Sequence, residues 1–492
     1  QAATLPQKKI PIVCRPCVCD HCHNLLAAMV CFAICEISSY YVPINNDAQK
    51  GARMKGDRFD SNGQGRVSSR YSRSEGVASY RRRRRASKIA RGLVAIVLLA
   101  ILGGTAYLFG RQHITVEIPS ISSENKKRES SSDDVETLVE PVDVTLLAVG
   151  DVSMNSTQLV QSGLTDSGAY SYDHLFQNVK SQLSSEDLSI VGQETPLAGS
   201  DHGFGGATVL NAPQELGRSE VSAGFNVVLK ASDHTLDWGE DGLHTELSWW
   251  HSKEPYIKVL GVAEPDPEQN PGLSDFVSDV YVFEKNGVKV AILNHTSSYN
   301  ISEESQDYVS VLTEEKIAAD VAKAKEVGAD FIVACPHWGR EGSTELTDEQ
   351  TTFAQYYADQ GVDVILGMHP RVLQEVALLD GADGHKTVCF YSLGCYVSAG
   401  NAADNLIGGI AGITLSRDAQ GVCSVSSATL KTLVTHRGTG TEYAVYSVSD
   451  YTDELAATSW DATLTPEQIG LRCSEILGEA YDVESASLSV RL

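Results

Sequence analysis

Six side chains of two chemical kinds, Asp151, Glu194, Asp233, His234, His337 and His369, each stand just past a short apolar run. Residues 144–149 end in Gly150-Asp151, 188–191 in Gly192-Gln193-Glu194, and 225–229 are followed by Ser232-Asp233-His234 with Asp237 close behind. Residues 331–335 lead into Pro336-His337-Trp338-Gly339, 362–366 into Gly367-Met368-His369-Pro370, and 388–393 into Gly394-Cys395. A lone His or Asp after a strand is ordinarily a cap or turn residue. Repeated along one chain, the pattern points to a shared sheet edge, and in open α/β sheets the carboxyl ends of the strands are where ligands bind.

Carboxylate oxygens mixed with imidazole nitrogens suit a divalent metal such as zinc, manganese or iron better than calcium, which prefers oxygen alone. A paired-metal centre of this kind would lower the pKa of a bridging water and clamp both sides of an in-line displacement at phosphorus. The body of the chain shows no P-loop, no dinucleotide-binding glycine pattern and no Gly-x-Ser-x-Gly elbow, which leaves nucleotide-dependent and serine-hydrolase chemistry without support.

The elements around these runs alternate. The spacing predicts helices over 172–183, 213–223 and 314–327, the last with Ile317, Val321 and Ala324 on one face. Thr347-Asp348-Glu349-Gln350 is a capping box opening a helix to about residue 360. Lys285-Asn286-Gly287 between apolar runs at 281–283 and 288–293 reads as a hairpin turn. Thr465-Pro466-Glu467 opens a last helix to about residue 481. Helix, strand, helix, strand is an α/β signature, with a parallel sheet in at least the second half.

The 492 residues are 42% apolar, ample for one large core or two smaller ones. Residues 1–111 hold 18 Lys and Arg against 6 Asp and Glu, whereas the remainder holds 21 against 58, a net charge of −37. So acidic a body would repel nucleic-acid phosphates, and nucleic acid is not an expected partner. Between the two, residues 92–110 carry no charge, long enough to cross a bilayer core of about 30 Å at about 1.5 Å per residue. Arg81 to Arg85, Lys88 and Arg91 precede it, so the positive-inside rule puts the N-terminus in the cytoplasm and the C-terminal body outside the cell. The other reading of the same order is a cleaved signal peptide.

The expected division is therefore a basic, largely disordered cytoplasmic head at 1–91, a transmembrane anchor at 92–110, a flexible Ser-rich and charged stalk at 111–142, a catalytic or binding domain at 143–437, and a C-terminal helical extension at 438–492. Cys14, Cys17, Cys19 and Cys22 are too tightly spaced for paired zinc knuckles, and residues 1–53 read as a segment of different origin, with translation expected to begin at Met54. Cys335 and Cys389 fall inside apolar strands as packed thiols, and the sequence supports no particular disulfide pairing among the five cysteines of the body.

Several motifs together carry a family resemblance. Val149-Gly150-Asp151-Val152, Gln193-Glu194-Thr195-Pro196-Leu197, residues 231–239, His337-Trp338-Gly339-Arg340-Glu341, His369-Pro370-Arg371-Val372-Leu373-Gln374 and Tyr391-Ser392-Leu393-Gly394 resemble, in order, the motifs of the CapA family of poly-γ-glutamate capsule biosynthesis proteins. The resemblance implies a layered α/β sandwich with mixed or parallel sheets, similar to the calcineurin-like metallophosphatases, on a membrane-anchored exported domain that serves capsule or cell-surface polymer assembly. It implies metal ligands at Asp151, Asp233, His337 and His369, with His234 assisting the leaving group; the enzyme reading counts Glu194 as a further metal ligand and Asp233 with His234 as the catalytic pair.

The chain departs from the family at Gly192, where Asn is usual, at Asp233-His234 for Asn-His, at His369-Pro370-Arg371 for His-Pro-His, and at Cys395 for Asn. Asp233 can still ligate, but Arg371 is purely a donor and cannot. Arg371 and Arg340, with Glu341 beside them, are candidate substrate contacts, gripping a carboxylate or phosphate in bidentate fashion; the alternative is that they make local salt bridges. Two functions follow. One is metal-dependent hydrolysis or transfer on a polymer or its lipid-linked carrier; the other is a catalytically eroded protein that binds and positions the polymer. Other membrane proteins of capsule assembly are expected partners, since one anchor helix is no pore.

Overall fold

The computed structural model describes residues 139–297 and 307–492. The basic head, the apolar segment at 92–110 and nearly all of the stalk lie outside the described residues, and among the described residues no helix is long and apolar enough to cross a membrane.

The first strand, β1 (Val142–Val152), shows why the fold is layered. Successive side chains of a strand point to opposite faces. Val144, Leu146 and Ala148 enter one core while Leu147 and Val149 enter another. A strand buried on both sides needs cover on both sides. β1 runs parallel to β2 (Leu188–Gly192), which is followed outward by β3 (Val227–Leu229) and β4 (Lys258–Leu260), all parallel.

A second sheet follows in sequence. β5 (Val280–Lys285) and β6 (Val288–Thr296) form the expected hairpin, whose Asn286 and Gly287 both have positive φ, the requirement of the tight turn that matches strand twist. β6 lies parallel to β7 (Phe331–His337), β7 to β8 (Val364–Leu366), and β8 to β10 (Lys386–Phe390), while β9 (Val376–Asp380) pairs antiparallel at the far edge. The chain then returns to the first sheet, where β11 (Cys395–Val397) runs beside the end of β1. There, β12 (Ile407–Arg417) pairs antiparallel along β1, β13 (Cys423–Arg437) along β12, and β14 (Tyr443–Ser447) along β13.

One hydrophobic core joins the facing sides of the two sheets, with Leu146, Ile190 and Leu229 opposite Ile292, Val333, Leu366 and Phe390. The outer face of the first sheet packs on α1 (Glu215–Ala223) and α2 (Gly239–Lys253) through Leu216, Leu243, Leu247 and Trp250. The outer face of the second packs on α3 (Glu314–Glu326) and α4 (Asp348–Asp359) through Ile317, Val321, Ala354 and Tyr357. The result is an α/β/β/α sandwich with mixed sheets. Both reciprocal bonds of the predicted capping box are present: Gln350 N–H donates to Thr347 Oγ1 at 3.2 Å and Thr347 N–H to Gln350 Oε1 at 3.1 Å.

Two expectations need correction. The helix predicted over 172–183 is two short turns, Asp173–Phe176 and Lys180–Leu183, because Val179 leaves the helical region at φ −117; beside it the Asn178 side-chain amide donates to the Val445 carbonyl. Residues 438–492 are not a helical extension. They contribute α5 (Pro466–Leu477), but β14 and the short strands Tyr481–Asp482 and Ser487–Ser489 are members of the first sheet. Antiparallel pairing along β13 gives that sheet its edge, so the segment is part of the domain.

Candidate metal centre

The carboxyl ends of both sheets meet at one edge. Asp151 is the penultimate residue of β1, Glu194 follows β2, and Asp233 and His234 follow β3. From the second sheet His337 ends β7, and His369 and Arg371 follow β8. Close approach is possible because Gly150 and Gly192 have no side chains. A Cβ on Gly150 would meet the Gly394 carbonyl oxygen at 1.9 Å, and one on Gly192 would meet Met368 Sδ at 2.7 Å and Asp151 Oδ1 at 2.8 Å. Thus the glycine that departs from the family pattern is the one against which Asp151 packs.

The geometry brings the six predicted side chains together. His337 Nε2 lies 3.5 Å from Asp151 Oδ1 and 3.8 Å from Asp233 Oδ1, and His369 Nδ1 lies 3.6 Å from that same Asp233 oxygen. The His369 N–H donates to Asp151 Oδ2 at 2.9 Å, fixing the other carboxylate oxygen. Ligand atoms of Asp233, His337 and His369 fall within 4.8 Å of one another, as do those of Asp151, Glu194 and His337, and those of Glu194, Asp233 and His234. All six residues are buried. Asp151 Oδ1, Glu194 Oε2, Asp233 Oδ1, His369 Nδ1 and both ring nitrogens of His337 have no hydrogen-bond partner among the described residues. Orphaned polar atoms are costly in an interior. A divalent cation that accepts oxygen and nitrogen ligands fits this donor set.

The electrostatics agree. Burial opposes ionisation of Asp233, yet His369, His337 and His234 outweigh it and hold the carboxyl well below its usual range. Burial likewise opposes a proton on His337, but the carboxylates of Asp151, Asp233 and Glu194 prevail and raise its pKa. The cluster demands positive charge.

Arg371 supplies some. Its Nε and Nη2 reach Glu194 Oε1 at 2.9 and 2.7 Å, its Nη1 reaches Glu341 Oε1 at 2.7 Å, and Nη2 lies 3.0 Å from His234 Nε2. Because a guanidinium only donates, His234 Nε2 accepts, and its Nδ1–H donates to Asp237 Oδ2 at 2.7 Å. Of the three candidate substrate contacts, Arg371 is buried among carboxylates, Glu341 caps it from the solvent side, and Arg340 lies exposed on the surface.

Two functional residues escaped sequence reasoning. Asn294, buried on β6, accepts from Ala231 N–H at 2.8 Å and donates to the Cys335 carbonyl at 2.8 Å, tying the loop that carries Asp233 to the strand that carries His337. Lys230, fully buried, donates to the Gln193 carbonyl at 2.9 Å and pairs with Glu246 at 3.2 Å, holding the backbone beside Glu194. Their one signal was a polar residue at the end of an apolar run, AILN and VVLK.

The model of the bacterial capsule synthesis protein PGA_cap family matches residues 145–399. The chain belongs to that family. The PGA_cap match contains every residue of the centre, from Asp151 to Arg371, and ends before β12, so it stops short of the boundary expected at 437. A capsule biosynthesis protein CapA of Bacillus anthracis is 28% identical over 267 residues, which cover 52% of this chain and 59% of that protein. A PGA biosynthesis protein CapA of Bacillus subtilis (strain 168) is 28% identical over 175 residues, 35% of this chain and 42% of that one. The chain thus matches about half the length of these curated relatives. Among solved structures, a Haemophilus influenzae NAD nucleotidase matches with a TM-score of 0.39 and 14% identity over 62% of this chain and 60% of its own. A calcineurin-like phosphoesterase, YfkN, from Bacillus subtilis matches with a TM-score of 0.34 and 14% identity over 68% and 99%.

Proposed function

We propose that this chain serves the assembly of an anionic cell-surface polymer of the poly-γ-glutamate type, through metal-dependent hydrolysis or transfer at the centre formed by Asp151, Asp233, His337 and His369. One observation carries the reading: donors from two sheets converge in a buried site where the ligand atoms Asp151 Oδ1, Asp233 Oδ1, His337 Nε2 and His369 Nδ1 have no hydrogen-bond partner among the described residues. The family supports the polymer and the donor set supports manganese, zinc or iron. A divalent cation bound there supplies Lewis acidity and water activation. Asn294 and Lys230 hold the two loops in register, and His369 N–H orients Asp151. His234, backed by Asp237, faces the same site and would move a proton at the leaving group once Arg371 lets go of Nε2. In this reading residues 92–110 anchor the chain in the cell membrane and the acidic body works outside, beside other capsule-assembly membrane proteins.

A second reading, polymer binding without turnover, is favoured by that same Arg371 to His234 bond, which occupies the nitrogen an acid would use. Chelator-stripped protein reloaded with Mn2+ and assayed on a phosphodiester and on a γ-glutamyl oligomer separates the two. Turnover that needs added metal and falls at least about 100-fold in His337→Ala supports the enzyme. An inert protein that still binds the oligomer supports the second reading, and one that neither binds metal nor oligomer removes both.

A further inference from the structure

We propose that the Arg371 guanidinium is a resident cation in the place of a second metal ion, so that the centre holds a single divalent ion. The inference rests on the metal-centre reading above and specifies how many ions it takes.

The three groups of ligand atoms overlap, and they differ in what already occupies them. In the group made by Glu194, Asp233 and His234, Arg371 places Nε and Nη2 at 2.9 and 2.7 Å from Glu194 Oε1, and Nη2 at 3.0 Å from His234 Nε2 and 3.7 Å from Asp233 Oδ2. Glu194 Oε1 and His234 Nε2 are thus already engaged by N–H donors, whereas Glu194 Oε2 has no partner among the described residues. In the group made by Asp233, His337 and His369, by contrast, Asp233 Oδ1, His337 Nε2 and His369 Nδ1 have no hydrogen-bond partner among the described residues, and Asp151 Oδ1 lies 3.5 Å from His337 Nε2. Asp233 divides its carboxylate accordingly: Oδ2 faces the guanidinium and Oδ1 faces the two histidines.

Arg371 is built into this position. Its side chain is 9% exposed, and guanidinium keeps its charge at any working pH. The backbone at Arg371 has φ 58 and that at His369 φ 94, a region that costs any residue with a Cβ and persists only where its surroundings fix it. Those surroundings are present: Asn405 Nδ2 donates to the Arg371 carbonyl at 3.2 Å, Gly342 N–H to the Pro370 carbonyl at 2.8 Å, and His369 N–H to Asp151. One tightly held loop therefore delivers a ligand and a cation to adjacent places.

Charge gives the same answer. The carboxylates of Asp151, Glu194, Asp233 and the exposed Glu341 stand against one guanidinium and one divalent ion, within a single charge of balance, while Asp237 is engaged by His234 and by the Leu210 N–H. A second divalent ion would leave excess positive charge in a buried site, where it is strongly disfavoured.

The test is ion stoichiometry on the full chain, stripped with chelator and titrated with Mn2+, read by elemental analysis after equilibrium dialysis and by electron paramagnetic resonance. Wild type is expected to saturate at one Mn2+ per chain with the six-line spectrum of an isolated ion. Arg371→His, which removes the cation and adds a ligand, is expected to take up a second Mn2+ and give an exchange-coupled spectrum; Arg371→Lys, which keeps the charge, is expected to stay at one. Two tightly bound ions in wild type overturn the inference and leave the metal centre standing, whereas no bound ion overturns both. A folded Arg371→His protein, checked by circular dichroism, that still binds a single ion overturns the role given to Arg371. Should that variant not fold, the wild-type spectrum alone decides, since a coupled pair there is incompatible with a resident guanidinium.

Discussion

At the scale of single residues, the centre is set as much by what is missing as by its donors. Gly192 leaves room for Asp151 and Met368, and a methyl group there would press on both. Gly192→Ala is expected to lose about 1–3 kcal/mol of stability in denaturant unfolding and to weaken Mn2+ binding by moving Asp151; unchanged affinity would show that Asp151 is not a ligand. Glu341 is the opposite case. Its side chain is 58% exposed and covers Nη1 of a buried guanidinium, so it competes with any anionic group arriving from solvent. Glu341→Gln should change stability by less than about 1 kcal/mol yet tighten binding of a γ-glutamyl oligomer, measured by calorimetry; weaker binding would make Glu341 a substrate contact instead. That the donor side chains share one edge was legible in the sequence because each stands just past an apolar run. Asn294 and Lys230 were not, because they satisfy backbone groups of neighbouring loops, and those neighbours exist only after the sheets assemble.

At the scale of elements, legibility followed the strength of the local signal. α4 was announced by its capping box and α3 by its apolar stripe, and both are found within a residue or so of their expected bounds. α2 gave no such signal: it carries two glycines and two histidines, poor helix formers, and is held by the burial of Leu243, Leu247 and Trp250 against the first sheet. The strand β6 holds a polar cluster of its own. Its His295, fully buried, meets Tyr357 OH of α4 at 2.7 Å through Nδ1 and Asp320 of α3 at 3.0 Å through Nε2. Burial pushes the His295 pKa below its ordinary 6.5, against the opposing pull of Asp320. With the folded pKa lowered, the unfolded chain binds the extra proton as pH falls through about 6.5, so this group's contribution to stability is present above that pH and lost below it. Because the raised pKa of His337 acts in the opposite sense in the absence of metal, the test is a difference: between pH 7.5 and 5.5 chelated wild type should lose more melting temperature, or gain less, than His295→Gln, and equal changes would assign the effect to other groups.

At the scale of the whole molecule, donors arriving from two sheets would make ion binding and folding one equilibrium. At free Mn2+ about 100 times its dissociation constant, the folded state should gain about 2.7 kcal/mol, seen as a melting temperature a few degrees higher that chelator reverses; His337→Ala should show no such gain. The alternation of strand and helix disclosed the α/β class, and the ligand edge came with it, whereas the layered sandwich was an implication of the family resemblance. The sequence order of the first sheet was hidden, because no local pattern says that the segment after residue 395 turns back to pair with the strand that opened the domain. That return has a kinetic meaning. Leu147 of β1 finds its partner in Gly412 of β12, with the entire second sheet lying between them along the chain. Long loop closure of this sort slows folding, and while it is pending β1 presents an unpaired apolar edge open to misassociation. A nascent chain would thus carry its first strand unsheltered until nearly all of the domain has been made, which makes this the segment where a chaperone would be of most use.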